Sequence, residues 1–426
     1  MAQKRDFLDD LIDIQSDWQA LSNPFSDIAE QLALDPSQRK VFNPADYKEK
    51  PFANSNRCLR TASGRDEVCS RCMDVCPVHA ITIHKQSVII GEDCRKCGLC
   101  AAACPTETIS TRRHMPRQVY DKIARAASAY EQCYVTCTRA LKRLPKDNEV
   151  VLGCVGSISR DLWFSLLADY DNISVYLPVG ICDRCKTTTG EEFYCDAIGT
   201  AEEWAQASLG LVADESEMTH ELTREYKRSQ FMSSAVHSAE RLLTRTNPAL
   251  AGAKAVANKI QAHASRLDQL QRQLESAVGA KTSSNRMRML TQNRKLMMGA
   301  LQHDEGLAKY IDLQVPVCDS SKCTMCGECA KVCTPRALDL DMNGRVTVAS
   351  SYCVSCGACV AVCEEGALSM GPMDVRELVV PDKAAEEARR KKAQAKAEAQ
   401  KYIEQGKKQL NRAADALEGL SDDGKK

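Results

Sequence analysis

The sequence predicts an α+β protein with two compact cysteine-rich modules, a small central α/β Cys-rich domain, and a long helical linker and tail. Three observations predict it. The 23 cysteines fall into three groups, Cys58 to Cys104, Cys133 to Cys195 and Cys318 to Cys363. One four-cysteine pattern recurs in the first and third groups, an internal repeat. The segments between and beyond the groups lack cysteine and carry helical periodicity. The expected boundaries are 1–50 (helical N-terminal segment), 51–115 (first module), 116–212 (central domain), 213–312 (helical linker), 313–373 (second module) and 374–426 (helical charged tail).

Composition narrows the function classes. A chain of 426 residues with 44% hydrophobic and 27% charged residues is globular and large enough for several domains. Lys+Arg and Asp+Glu are equal at 57 each, so no global charge points to a polyanion. Aromatic residues make up only 5%, which disfavours binding of nucleic acid by base stacking. The first ten residues show no apolar signal core, and no apolar run is long enough to span a bilayer. The expected setting is cytoplasmic. Thiols in a reducing compartment are expected to be metal ligands rather than bridges.

Each element follows from local pattern. Phe7, Leu8, Leu11 and Ile14 recur at helical spacing. In the first module Ala80–His84 and Ser87–Ile90 alternate as a hairpin. In the second, the residues around Asn343-Gly344 do the same, with a strong two-residue turn signal. The central domain reads as helix 116–129, strand 132–137, strand 149–154, helix 160–168 and strand 173–177. That alternation implies a parallel sheet. In the linker, Ile260, Leu267, Leu270 and Leu274 mark a helical face. Lys281, Arg286, Arg288, Arg294 and Lys295 fall in a stretch without acids (residues 276–303), together with Met287, Met289, Met297 and Met298. Such a stretch suggests a docking arm or spacer. The tail, rich in Ala, Lys, Glu and Gln, reads as a solvated helix.

The repeat is C-x2-C-x2-C-x3-C. Cys94, Cys97, Cys100 and Cys104 form one copy, Cys323, Cys326, Cys329 and Cys333 another, and Cys353, Cys356, Cys359 and Cys363 a third. Cys69, Cys72 and Cys76 form a partial fourth. Three closely spaced thiolates can wrap one face of a cubane, and the fourth, beyond a short helix, points to a neighbouring cluster. Gly98, Gly327 and Gly357 follow the second cysteine, where the loop passes close to inorganic sulfide. Four-cysteine zinc sites are the alternative, although zinc sites usually show two separated C-x2–4-C pairs.

Residues ~51–115 and ~313–373 each resemble a bacterial-type dicluster (2[4Fe–4S]) ferredoxin domain. The resemblance implies two ferredoxin-like modules, four [4Fe–4S] clusters and one-electron chemistry. By position it assigns Cys323, Cys326, Cys329 and Cys363 to one cluster, and Cys353, Cys356, Cys359 and Cys333 to a second. Cys94, Cys97, Cys100 and Cys76 form a third. The fourth has Cys69, Cys72 and Cys104 but no cysteine at the usual place before Cys69. Cys58 is the sole cysteine upstream and is the expected remote ligand; a three-cysteine [3Fe–4S] cluster is the alternative. Two further departures are Thr334 after Cys333 and Glu364 after Cys363, in place of proline.

In the central domain Cys137, Cys154, Cys182 and Cys185 are expected at or just past strand carboxyl ends, where open α/β sheets build their sites. They could form a fifth metal or iron–sulfur centre, or be packed or redox-active thiols. Cys133, Cys195 and Cys318 read as ordinary buried cysteines. The seven histidines show no ligand spacing, and no phosphate loop or dinucleotide fingerprint is present. The expected function is an iron–sulfur electron-transfer protein relaying single electrons to or from a partner oxidoreductase complex. The alternatives are a reductase subunit using the central cysteines and a metal-binding or cluster-assembly scaffold.

Overall fold

Short strands punctuated by cysteine loops cannot bury much surface alone, so each module leans on its neighbours. In the computed structural model the described residues are 41–223, 226 and 249–380. They belong to a unit ending at Val379, apart from Val380, which begins a second unit. The expected helices in residues 1–40 and the expected charged tail beyond 380 lie outside the described residues.

The first module holds β1 (Phe52–Ala53), α1 (Leu59–Ser63), α2 (Arg71–Asp74), β2 (Ile81–His84), β3 (Ser87–Ile90), α3 (Leu99–Ala103) and β4 (Ile109–Ser110). β1 pairs antiparallel with β4, and β2 with β3, with Ile81 opposite Ile90. Val75, Ile81, Leu99, Cys100 and Ile109 form its core.

The central unit runs α4 (Pro116–Ala129), β5 (Cys133–Cys137), β6 (Glu149–Leu152), α5 (Arg160–Asp169), β7 (Ile173–Tyr176), α6 (Gly190–Ala205) and β8 (Gly210–Val212). The sheet order is β6-β5-β7-β8, all parallel. Every residue of β5, β6 and β7 is buried, as expected for strands covered on both faces. The chain order reverses beside β5, so the crevice at its carboxyl end is the natural site position.

Two helices follow, α7 (Ala249–Leu274) and α8 (Gln292–His303). They cross where Gly299 leaves room for Leu267; a Cβ there would stand 2.3 Å from the leucine Cδ2. Leu296, Met297, Met298 and Leu301 are buried, and α8 packs against α5 and α7. Within α8 the basic, Met-rich stretch is therefore a packed brace rather than the docking arm the sequence suggested, whereas Lys281, Arg286 and Met287 before it are exposed. Arg294 is 1% exposed, and Arg288 donates to the Arg336 carbonyl at 2.8 Å and faces Asp339.

The second module repeats the first, with β9 (Gln314–Cys318), α9 (Glu328–Val332), β10 (Leu338–Leu340), β11 (Val346–Val348), α10 (Ala358–Ala361) and β12 (Leu368–Pro372). β9 pairs with β12 and β10 with β11, all antiparallel. The modules touch through α1 and α9, and an Arg65–Glu364 ion pair at 2.7 Å crosses between them. No described helix is long and apolar enough to cross a membrane.

Candidate iron–sulfur sites

The repeat is visible in the backbone as well as in the cysteines. Three residues after Cys76, Cys104, Cys333 and Cys363 the chain turns left-handed, at His79, Glu107, Arg336 and Gly366 (φ 48°, 49°, 59° and 57°). The next residue's N–H then donates to that cysteine's sulfur: Ala80 at 3.3 Å, Thr108 at 3.3 Å, Ala337 at 3.2 Å and Ala367 at 3.3 Å. The partial copy thus ends as the full ones do. Thr334 and Glu364 leave the geometry unchanged. In the full copies a second left-handed residue precedes the second cysteine: Lys96, Met325 and Ser355. Gly98, Gly327 and Gly357 follow it at φ 86°, 76° and 76°. Successive turns of this kind aim backbone N–H groups inward, as anion-binding nests do.

Four sets of thiols result. Cys97 and Cys100 face each other, Cys94 and Cys76. Cys58, Cys69, Cys72 and Cys104 line one small cavity beside Leu59 and Ile109. Cys329 faces Cys326 and Cys323, with Cys363 in the same neighbourhood. Cys333, Cys353, Cys356 and Cys359 line another small cavity. Burial, reinforced by the neighbouring thiols, pushes Cys72 and Cys356 up to about 12 and raises Cys100 and Cys359 further. Thiols so placed lose their protons to a bound cationic centre rather than to water. Among the described residues no three His, Cys, Asp or Glu side chains stand close enough for a single metal ion. The interleaved C-x2-C-x2-C-x3-C spacing suits a multi-atom cluster better than zinc, whose sites usually show two separated C-x2–4-C pairs.

Cys58 takes its place by an insertion. In the second module the Asp319 N–H donates to the Ala367 carbonyl at 2.8 Å, and Cys323 follows four residues later. In the first, the Asn54 N–H donates to the Thr108 carbonyl at 2.7 Å, and Cys58 follows four residues later. Thr108 and Ala367 are themselves equivalent, each being the donor to its module's last cysteine. Ten residues separate Cys58 from Cys69, where two separate Cys323 from Cys326. The extra chain folds as α1, capped by Gly64 at φ 68°, and returns Cys69 to the cavity. Leu59 is 2% exposed and anchors the loop.

Cations stand beside two sets. Arg294, fully enclosed, donates from Nη2 to the Cys353 carbonyl at 2.9 Å and from Nη1 to the Met297 sulfur at 3.2 Å. Among the described residues no carboxylate forms an ion pair with it. Arg71 lies within electrostatic reach of both Cys69 in the first module and Cys356 in the second. Sequence reasoning missed Arg71 and read Arg294 as part of a docking arm, because nothing local distinguishes a buried arginine from a solvated one.

The central cysteines also converge. Cys137 ends β5, Cys154 lies just past β6, and Cys182 and Cys185 follow β7. All four line a cavity of about 340 Å³ that Cys97 of the first module also lines. The union of module and sheet is close: Cβ atoms on Gly98 and Gly156 would stand 2.6 Å from Ser157 Cβ and 2.5 Å from Leu99 Cδ2. Of the three cysteines read as buried, Cys133 is, but Cys195 is exposed. Cys318 is half-buried, with Cys323 nearby. Cys195 lies on α6 rotated by about 100° around the axis from the buried face of Tyr194, Ala197, Ile198 and Ala201.

No curated protein and no solved structure matches the chain. The model of the 4Fe-4S dicluster domain family matches residues 67–108 and 322–367. The first match begins after Cys58, so that cysteine is a feature of this chain's geometry rather than of the family pattern. The repeated backbone and the two matches together identify two iron–sulfur dicluster domains of the ferredoxin type in this chain.

Proposed function

We propose that this protein relays single electrons through four [4Fe–4S] clusters to or from a partner oxidoreductase, with modules at residues 51–115 and 313–373. The observation that carries this reading is the fourfold recurrence of one cysteine loop, with sixteen thiols gathered in four sets inside one compact unit. When bound, the clusters supply one-electron chemistry at low potential. The chain's own residues do the rest. Four cysteines hold each centre, Cys58 completing the set of Cys69, Cys72 and Cys104. Backbone N–H groups donate to the sulfurs and tune the potential. Packing sets the order of the sites. Cys72 is a close neighbour of Cys100, which joins the two sets of the first module. Arg71 is within electrostatic reach of both Cys69 and Cys356, and α1 touches α9, which joins the modules. The set containing Cys326 is nearest solvent, since that cysteine and Met325 are exposed, and it is the natural point of exchange with a partner.

Reduction by a measured amount of dithionite under anaerobic conditions tests the reading. The modules are expected to take up about four electrons per chain, one per cluster, and to return them to a one-electron acceptor. Uptake of two or fewer would contradict the relay.

A further inference from the structure

Four cysteines and a helix end meet at the carboxyl edge of the central sheet. In the first module the Cys94 sulfur accepts the N–H of Lys96, two places on, at 3.4 Å. In the central unit the Cys185 sulfur accepts the N–H of Thr187, two places on, at 3.5 Å. An N–H aimed at sulfur favours the thiolate, the form that binds metal. The chain's ordinary buried cysteine differs: the Cys133 thiol donates to the Ile123 carbonyl at 3.8 Å. The fourth central thiol, Cys182, faces the Tyr194 hydroxyl at 3.7 Å.

Two further features suit an anionic centre. The N-terminus of α6, sixteen residues long, opens onto the cavity through Gly190, Glu191 and Tyr194. Gly190 lets the helix end approach closely, since a Cβ there would crowd Cys154 Sγ at 3.1 Å. The helix dipole favours negative charge at that end. Lys48, Arg95, Arg139, Lys142 and Lys186 line the same cavity, against one acid, Glu191. Neutral packed thiols would not call for such a rim, whereas a cluster held by four thiolates carries net negative charge. As in the modules, the thiols are too far apart for a single ion.

We propose that Cys137, Cys154, Cys182 and Cys185 bind a fifth iron–sulfur cluster, placed against Cys97 so that electrons pass between the central unit and the first module. The ligand set stands on the central geometry alone; the electron path also rests on the relay proposed above. Thr189 holds the junction, donating from its hydroxyl to the Val75 carbonyl of the first module at 2.7 Å.

Iron and acid-labile sulfide in anaerobically purified full-length protein test the site. Cys154→Ser and Cys185→Ser should each lose about two to four irons relative to the unaltered chain. The low-temperature electron paramagnetic resonance signals of the modules should persist, and Cys195→Ser should lose no iron. Cys185 lies in a loop away from the packed Gly190 contact, so its variant decides the matter if Cys154→Ser fails to fold. Iron contents in the Cys185→Ser variant equal to the unaltered chain would overturn the fifth cluster. Failure of the relay is distinct: it would show as missing iron in the unaltered chain's module signals.

Discussion

Cys58→Ser is expected to cost one cluster of the first module its fourth thiolate. Iron should fall by between about one atom, if a three-iron cluster remains, and about four, if the cluster is lost. The other signals should persist, because the remaining three sets share no ligand with this one. The prediction rests on register. Cys58 stands four residues beyond Asn54, which bonds Thr108 just past β1, as Cys323 stands beyond Asp319, which bonds Ala367 just past β9. Closing a loop of about ten residues is a modest entropic cost beside an iron–thiolate bond. Electron paramagnetic resonance and iron analysis read the result. A spectrum and iron content identical to the unaltered chain would show Cys58 to be a packing residue and leave a three-cysteine site.

The second large effect belongs to Arg294. A guanidinium stays protonated in proteins, and this one is enclosed and bonded to the Cys353 carbonyl. A fixed positive charge beside a centre favours its more negative, reduced state. At an effective dielectric of about 20 and a separation of roughly 8 Å the interaction is on the order of 2 kcal/mol, or about 80 mV for one electron. Arg294→Met, similar in length, should therefore lower the potential of the cluster held by Cys333, Cys353, Cys356 and Cys359 by that order. Arg294→Lys should restore most of it, since charge rather than shape is responsible. A redox titration that follows each signal separately makes the check. Equal potentials for the methionine and lysine variants would refute the electrostatic role and leave Arg294 as packing.

How much was legible varies with the kind of interaction. The cysteine loops are local, so spacing alone located the two modules and their hairpins. The central strands were legible because β5, β6 and β7 are short β-branched and aromatic runs buried on both faces. β8, three residues beginning with Gly210, carries too little pattern to announce itself. The left-handed turns at His79, Glu107 and Arg336 were not legible, since nothing marks these residues as φ-positive; the sulfur-bound N–H beyond them holds the turn. Arg288 and Arg294 were misread because a basic stretch without acids is usually a solvated face. Here tertiary packing encloses Arg294 and partly covers Arg288, and backbone carbonyls of the second module accept the guanidinium hydrogens. Cys195 was misread for the same reason in reverse: helix phase, not residue type, put it outside.

The account turns on four cubanes in the two modules. Iron and acid-labile sulfide of the anaerobically purified chain, counted beside its reduced paramagnetic signals, test that most directly. In the Cys185→Ser background, which removes the central site from the count, about sixteen irons and about sixteen sulfides per chain are expected. A value near eight, with zinc making up the remaining metal, would contradict it.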